Sequence, residues 1–553
     1  MNNKIFFFSF IIFLCVSNTL TVLSQETDYS KLFEDLEDDL NKDESNDNKT
    51  ESAVSDEFSA PELTFGINGE QEFEFHFPII PGYWEFTGPV KAPRFNNNFG
   101  IDLIYDNLKV TSNWQFNIIL NEWDDWQKLI QVYYQENYIQ WTPWKFNFQV
   151  GLIEYAWGSA DNFNPTDNLN ARDLTQGPDA VKIPALSGAV RFFPMNLLSM
   201  ELVYIPYKQA SLFPVDLTGQ IPGQVFNSKE LQFNTSNPNK PISRVISHDK
   251  NIVKYDLALD PANFVLGTKV NLYHRYFDFS LSYVYDWDAY YTPVINLNKE
   301  SVIMRDYNGI PGNDIAVGNL YRVKSIDLTY KRLHQFGLDF KTNADRFGIW
   351  LEIGYSLSED YLLESDKIRN HKLAWTAGFD FNYGPDQEFY ANFQYLGEFI
   401  PGYYLDFYNE YDGGLPDPDD ADDEDYMEQY YYRAFTDKLG GAAQGLLQGL
   451  SVRMEWPLWN DLMTPNLVIL YLLPLVYDYE QEGRFGSLMI NPELDFMPID
   501  SLHICLGAEL FYAWHQPKDE NVQINYSDRL GRFHKDSNIY LAVRYKWDME
   551  WSR

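Results

Sequence analysis

From Asn538 to Trp551 the chain alternates without a break. Ile539, Leu541, Val543, Tyr545, Trp547, Met549 and Trp551 fall on one side, and Tyr540, Ala542, Arg544, Lys546, Asp548 and Glu550 on the other. Successive side chains of a strand point to opposite faces, so this stretch is a ribbon with one apolar face and one wet face. Strands of soluble sheets usually run about 5–6 residues. A strand that crosses a bilayer at a tilt needs roughly 9–11, apolar toward lipid and with aromatic residues at the interfaces. The segment therefore predicts a membrane-crossing strand.

The pattern recurs. Phe99, Ile101, Leu103 and Tyr105 share a face, as do Phe146, Phe148, Val150 and Leu152. Phe277, Phe279, Leu281, Tyr283, Tyr285 and Trp287 repeat it against Asp278, Ser280, Ser282 and Asp286, and Leu373 to Tyr383 does so again. Turn-forming joints near 106–107, 142–143, 194–198, 276–277, 343–346, 384–386, 457–461 and 498–500 alternate with mostly longer connections. The longer ones lie near 78–91, 122–128, 158–183, 208–262, 288–326, 358–370, 401–444, 479–485 and 515–536. Short turns on one side, long loops on the other and an even strand number are the arrangement of an outer-membrane barrel. The fold class expected is all-β, a transmembrane antiparallel β-barrel of about 18 strands (16–18) with both termini periplasmic. The loading of 15 Trp, 39 Tyr and 40 Phe suits aromatic girdles at the two interfaces.

The start of the chain reads as an export signal over 1–24. Lys4 is followed by the apolar run Ile5 to Val16, too short for a membrane helix, and Val22-Leu23-Ser24 offers a cleavage site. Residues 25–60 form an acidic, flexible periplasmic tail in this reading, and 61–553 the barrel. Between 26 and 60 stand 13 acidic residues and 3 lysines, with Leu32, Phe33, Leu36 and Leu40 spaced so that a short helix could meet a periplasmic partner. Cys15 sits in the signal, which leaves Cys505 without a partner for a disulfide in the mature chain. A net charge of −38 excludes nucleic acid as a partner, since phosphates demand a basic footprint. The eight histidines show no HExxH spacing and no G-x-S-x-G turn occurs, so no enzyme and no cofactor are expected.

One connection stands out: WGSADNFNPTDNLNARDLTQGPDAVKIP, Trp157 to Pro184. It is crowded with turn formers and hydrogen-bonding groups, and Asp161, Asn164, Asp167, Asn170, Arg172 and Asp173 are the candidates for lining a constriction loop that folds inward. The competing reading is an external loop folded on itself by Asx turns. Lumen-facing charges are expected at Arg453, Glu455, Arg544, Lys546 and Asp548, with Lys269, Arg275 and Glu550 beside them. Their mixed signs fit cross-strand pairs bracing the wall as well as a selectivity ring. The acidic loop 406–428 holds 11 carboxylates and no Lys or Arg. Within it Asp417, Asp419, Asp420, Asp422, Asp423 and Asp425 are weak candidates for calcium, lacking the glycine and spacing of a loop built for that ion.

A chain that finishes on such a strand resembles bacterial outer-membrane barrels, with Trp551 where a terminal phenylalanine is the usual ending. Trp157-Gly158, Asn164-Pro165-Thr166-Asp167, Asn170, Glu352 and Leu506-Gly507-Ala508-Glu509-Leu510-Phe511 resemble a family of porin-like outer-membrane barrels, loosely akin to alginate-export porins. The resemblance implies location in the cell outer membrane and contact with its lipid and with the barrel-insertion machinery. It also implies a porin-like role, and with the inward reading of the loop at 158–183 the function expected is passive diffusion of small hydrophilic solutes through a channel that this loop narrows. The alternative is a structural or adhesive surface barrel, its lumen plugged and its external loops binding ligands.

Overall fold

The computed structural model describes residues 63–79, 93–119, 130–160, 163–173, 181–206, 208–209, 211, 229–233, 242–246, 253–255, 263–288, 292–305, 314–362, 371–384, 389–400, 446–475, 484–516, 523–524 and 530–552. The expected signal, acidic tail and loop 406–428 lie outside them, as do Asp161 and the calcium candidates Asp417, Asp419, Asp420, Asp422, Asp423 and Asp425.

Eighteen antiparallel strands follow one another around a closed wall. They are β1 (Leu63–Pro78), β2 (Arg94–Tyr105), β3 (Leu108–Ile119), β4 (Ile130–Trp141), β5 (Phe146–Ile153) and β6 (Ala185–Met195). Next come β7 (Leu198–Ile205), β8 (Val265–His274), β9 (Phe277–Trp287), β10 (Arg332–Ala344), β11 (Phe347–Ser358) and β12 (Lys372–Tyr383). The last six are β13 (Phe389–Phe399), β14 (Leu446–Glu455), β15 (Met463–Leu475), β16 (Arg484–Ile499), β17 (Leu502–Gln516) and β18 (Asn538–Ser552). β18 closes the ring by pairing with β1 from Thr64↔Ser552 to Pro78↔Asn538. Closure matters because an open edge would leave a row of backbone N–H and C=O groups unpaired.

Period-two alternation sets the two faces of every strand. Val150, Leu281, Leu450 and Leu506 are more than half exposed and stand on the outside. At the short-turn end Trp141, Trp144, Tyr276, Tyr383, Trp456, Trp459 and Trp551 are likewise exposed, an aromatic girdle at one rim. Asp106 and Asp345 take positive φ values of 49° and 58° in the tight turns, a conformation that a short polar side chain tolerates. Where polar side chains interrupt the outer face, two pairs of neighbours satisfy each other. Gln71 Nε2 donates to Asn97 Oδ1 (3.1 Å), and Ser112 Oγ donates to Asn137 Oδ1 (2.6 Å).

The long connections are not plain loops. Lys229–Phe233 pairs with Ile242–Ile246, and Thr292–Arg305 forms a hairpin with Asp314–Thr329, against which Val253–Tyr255 lies parallel. Near β17, a two-residue strand, Gln523–Ile524, and a 3-10 turn, Gly531–Asp536, precede β18.

Candidate functional site

The connection from β5 to β6 turns into the barrel and lies against the inner wall. Its base is tied by Asn170, which accepts from the Tyr155 backbone N–H (2.7 Å) and donates to the carbonyls of Ile153 and Ile183 (both 3.0 Å). Ala171–Asp173 pairs with Val181–Ile183, which keeps the two arms of the segment together. The Tyr155 hydroxyl donates to Ser187 Oγ on β6 (2.8 Å), and burial pushes that phenol well above its usual range.

Beyond this base the segment runs along successive strands. The Trp157 ring packs on Gly267 of β8, beneath the Lys269 ammonium at 5.9 Å. Ser159 Oγ donates to Asp339 Oδ1 on β10 (2.8 Å). On β11, Glu352 Oε1 accepts the backbone N–H groups of Ser159 and of Ala160 (2.6 Å), and its Oε2 accepts from the Thr166 hydroxyl (3.1 Å). Farther on, Gln394 of β13 donates to the Phe163 carbonyl (2.9 Å). Asp339, Glu352 and Gln394 all sit near the middle of their strands, so the contact is at mid-wall and not at the rim.

Asp339 and Glu352 face each other across the β10–β11 ladder. Like charges in that position repel, and the segment's N–H and O–H donors offset the repulsion. Glu352 is fully buried, so losing those donors would strand a carboxylate without water. Three inner-face glycines make room for the segment. A Cβ on Gly354 would stand 2.5 Å from the Pro165 carbonyl oxygen, one on Gly337 3.1 Å from the Thr166 methyl, and one on Gly267 3.0 Å from both Leu169 and Trp157.

The segment's tip reaches an apolar patch on the inner wall. Leu396, Leu447, Leu472, Met489 and Phe511, from β13 to β17, cluster with Leu530, and Phe163 and Phe533 pack against them. The connection before β18 therefore also enters the barrel, held where His534 Nδ1 meets the Phe511 carbonyl at 2.7 Å.

The structure brings most of the candidate residues together, but as fasteners. Asn164 Oδ1 accepts from the Thr166 N–H (3.2 Å) and hydroxyl (3.1 Å), an Asx turn. Asp167 is buried between Arg172 (3.0 Å) and Lys182 (2.8 Å), Asp173 is buried, and the Arg172 side chain is 36% exposed. Sequence reasoning did not link the segment to Asp339, Gln394 or the glycines. A signal existed in Gly267, Gly337 and Gly354, which interrupt the inner faces of three strands.

Of the wall charges, Arg453 Nε donates to Glu455 (2.6 Å) along β14. Arg544 Nη2 donates to Glu72 (2.6 Å) across the β18–β1 seam, and Lys546 stands 3.9 Å from Glu70. Asp548 shares their face and pairs in register with Asn68. Arg275 is not on a strand. It lies in the β8–β9 turn, its guanidinium 5.7 Å from the Tyr276 ring.

No protein-family model matches the chain, and no curated protein is similar to it. Among solved structures it is similar to OccD3 (OpdP) of Pseudomonas aeruginosa, at 8% identity and a TM-score of 0.42, over 88% of this chain and 91% of that one. It is also similar to Acinetobacter baumannii OccAB4, at 8% identity and a TM-score of 0.43, over 90% of this chain and 100% of that one. A BenF-like porin from Pseudomonas fluorescens Pf-5 gives 7% identity and a TM-score of 0.43, over 88% of this chain and 99% of that one. The barrel assignment rests on the strand ladders themselves, not on these likenesses.

Proposed function

We propose that the chain is an outer-membrane channel for passive diffusion of small hydrophilic solutes, narrowed by the segment 158–183. The observation that carries this reading is the mid-wall docking of that segment on Glu352, inside a closed barrel with an apolar outer face and a polar inner one. A barrel of about 16–18 strands is wide enough for an aqueous lumen, and a polypeptide laid across its inner wall reduces the bore. Export by the amino-terminal signal and insertion by the barrel-assembly machinery belong to the same reading. In it Arg172, whose side chain is 36% exposed, faces the passing solute, while Asn164, Asp167 and Asn170 hold the segment's shape. The test is the conductance of the mature chain, residues 25–553, refolded and inserted into a planar bilayer. Stable, salt-dependent current steps are expected. Silence, with insertion shown independently by heat-dependent gel mobility, would overturn the reading.

A specific observation favours a second reading. Phe163, Leu530 and Phe533 meet on an apolar inner wall, as the filling of a plugged barrel would. A silent but inserted barrel would support that reading, and with it a structural or adhesive role for the external loops.

A further inference from the structure

The outer face of β1 to β4 carries polar side chains where lipid would cover it. Gln71 on β1 and Asn97 on β2 are partners in register. Gln71 stands six residues along β1 from Phe65, whose ring stacks on Trp551 at the rim (5.7 Å between centroids). At about 3.3 Å per residue and a tilt of about 45°, that is roughly 14 Å into an apolar band about 25 Å tall, near its middle. Gln71 Nε2 donates to Asn97 Oδ1 (3.1 Å), and among the described residues neither Asn97 Nδ2 nor Gln71 Oε1 meets a further partner. Both residues are half-buried, and neither atom is sealed inside the wall. Nearer the short-turn rim a second polar pair behaves differently. Ser112 Oγ donates to Asn137 Oδ1 (2.6 Å) and accepts from Trp114 Nε1 (2.9 Å), and Asn137 Nδ2 donates to the carbonyls of Asn113 (2.8 Å) and Gln135 (3.0 Å). That pair closes on itself. Gln71 and Asn97 do not.

The surface around the open pair is flat. On β1 to β3 the large apolar side chains that stand well out are at strand ends: Leu63, Phe77, Ile104, Tyr105 and Leu108. Between them the rings lie against one another, Phe73 with Phe75 (4.6 Å) and Phe95 (6.4 Å), and Phe99 with Trp547 (6.3 Å). The Trp547 ring also covers Gly69, where a Cβ would stand 2.4 Å from it. From β5 to β9, by contrast, Val150, Met200, Leu202 and Leu281 project from mid-strand. A flat aromatic surface with a polar centre has the composition of a protein contact.

We propose that the outer face of β18 and β1 to β4 is where two copies of this chain meet, about a twofold axis along the membrane normal. An amide left open in hydrocarbon is costly, and a lipid tail offers it nothing. Every copy crosses the membrane in the same direction, so a second copy brings the same pair to the same depth. Across a twofold axis one patch meets itself. Asn97 Nδ2 of each copy then donates to Gln71 Oε1 of the other, and both open groups are met. A different protein would need a matching donor and acceptor at that height. Five neighbouring strands span roughly 25 Å, which with a band about 25 Å tall allows on the order of 600 Å² per copy. That reaches the lower edge of stable interfaces, about 1,200 Å² in total. The proposal goes beyond the channel reading and stands whether or not the lumen conducts.

The test uses the mature chain, residues 25–553, reconstituted at low density in liposomes. F99C places a thiol beside the amide pair, and L281C places one on the outer face of β9, while the native Cys505 is fully buried. Oxidation with copper phenanthroline is expected to link F99C into pairs and to leave L281C single. I101C serves if F99C does not insert. Adding Q71L/N97L, which sets leucines among apolar neighbours, is expected to weaken pairing about tenfold, the loss of two hydrogen bonds in lipid. The heat-dependent gel mobility of that variant should remain, which shows that the barrel is intact. Photobleaching of singly labelled chains is expected to give two steps per spot. Equal linking at 99 and 281, or linking unchanged by Q71L/N97L, overturns the proposal. So does a bleaching count other than two, a count of one leaving lipid as the cover of this face. A link formed in whole outer membranes to a different chain would assign the face to another protein and overturn it as well.

Discussion

The inner wall from β8 to β13 and the inner wall from β18 to β4 use the same alternation and end differently. On the first, small residues stand where side chains would collide with the docked segment: Gly267, Gly337 and Gly354. Two carboxylates that repel each other, Asp339 and Glu352, point at its donors. On the second, among the described residues, long side chains reach across the ladders to one another, as Arg544 does to Glu72 and Gln135 to Gln115. A wall that must receive a polypeptide is built short and electrically unfinished. A wall that the segment does not touch is built long and closes most of its own hydrogen bonds.

The largest effect should come from filling a glycine on the clad wall. Gly354→Leu places atoms where the Pro165 carbonyl sits, at 2.5 Å from the Cβ, so the segment must leave. Conductance is expected to rise by on the order of twofold, because the bare lumen of such a barrel is an aqueous channel. At Gly66, on the inner face of β1, an added Cβ meets nothing closer than 3.8 Å, and Gly66→Leu should leave the conductance near that of the parent. Equal behaviour of the two variants would break the comparison.

Glu352→Ala comes next. It removes the acceptor of two backbone N–H groups and one hydroxyl, hydrogen bonds to a charged group at roughly 1.5–3 kcal/mol each before relaxation. Larger, noisier current steps and faster proteolysis within 158–183 are expected, with Glu352→Gln milder. Proteolysis at the parental rate would show that the anchor lies elsewhere.

On the other wall, Arg544→Ala leaves Glu72 without its cation and Glu70 with the more distant Lys546 alone. The reversal potential in a salt gradient should move toward cation preference while step size changes little. The smallest effect is expected at Lys546→Met. Lys546 and Glu70 are 3.9 Å apart and half exposed, and such pairs are worth about 0–1 kcal/mol. Its heat-dependent gel mobility should match the parent's within a few degrees.

Much of this wall was legible from residue order. Closing strand 538–551, the eight short turns and the nine longer connections follow from a period of two and from turn chemistry, both local signals. The site was legible in part. Its Asn- and Asp-rich composition marked 158–183, but Glu352 meets Ala160 across 192 residues of sequence, and alternation says nothing about what arrives from across a lumen. The same composition does not separate roles within the segment. Asn164 and Asn170 are candidates for lining the constriction, and in the structure they bond to the segment's own backbone and side chains, as a segment folded away from water requires. Arg275 was placed on a wall because it follows a strand, and the turn claims it instead.

The measurement that tests the central claim most directly is polymer exclusion. Polyethylene glycols of graded size would be added to the conducting chain and to a form lacking 159–169, and the smallest polymer that fails to enter recorded for each. If the segment docked on Glu352 sets the bore, the shortened form admits larger polymers than the parent. An unchanged cut-off would mean that the segment does not narrow the channel, and would contradict the account.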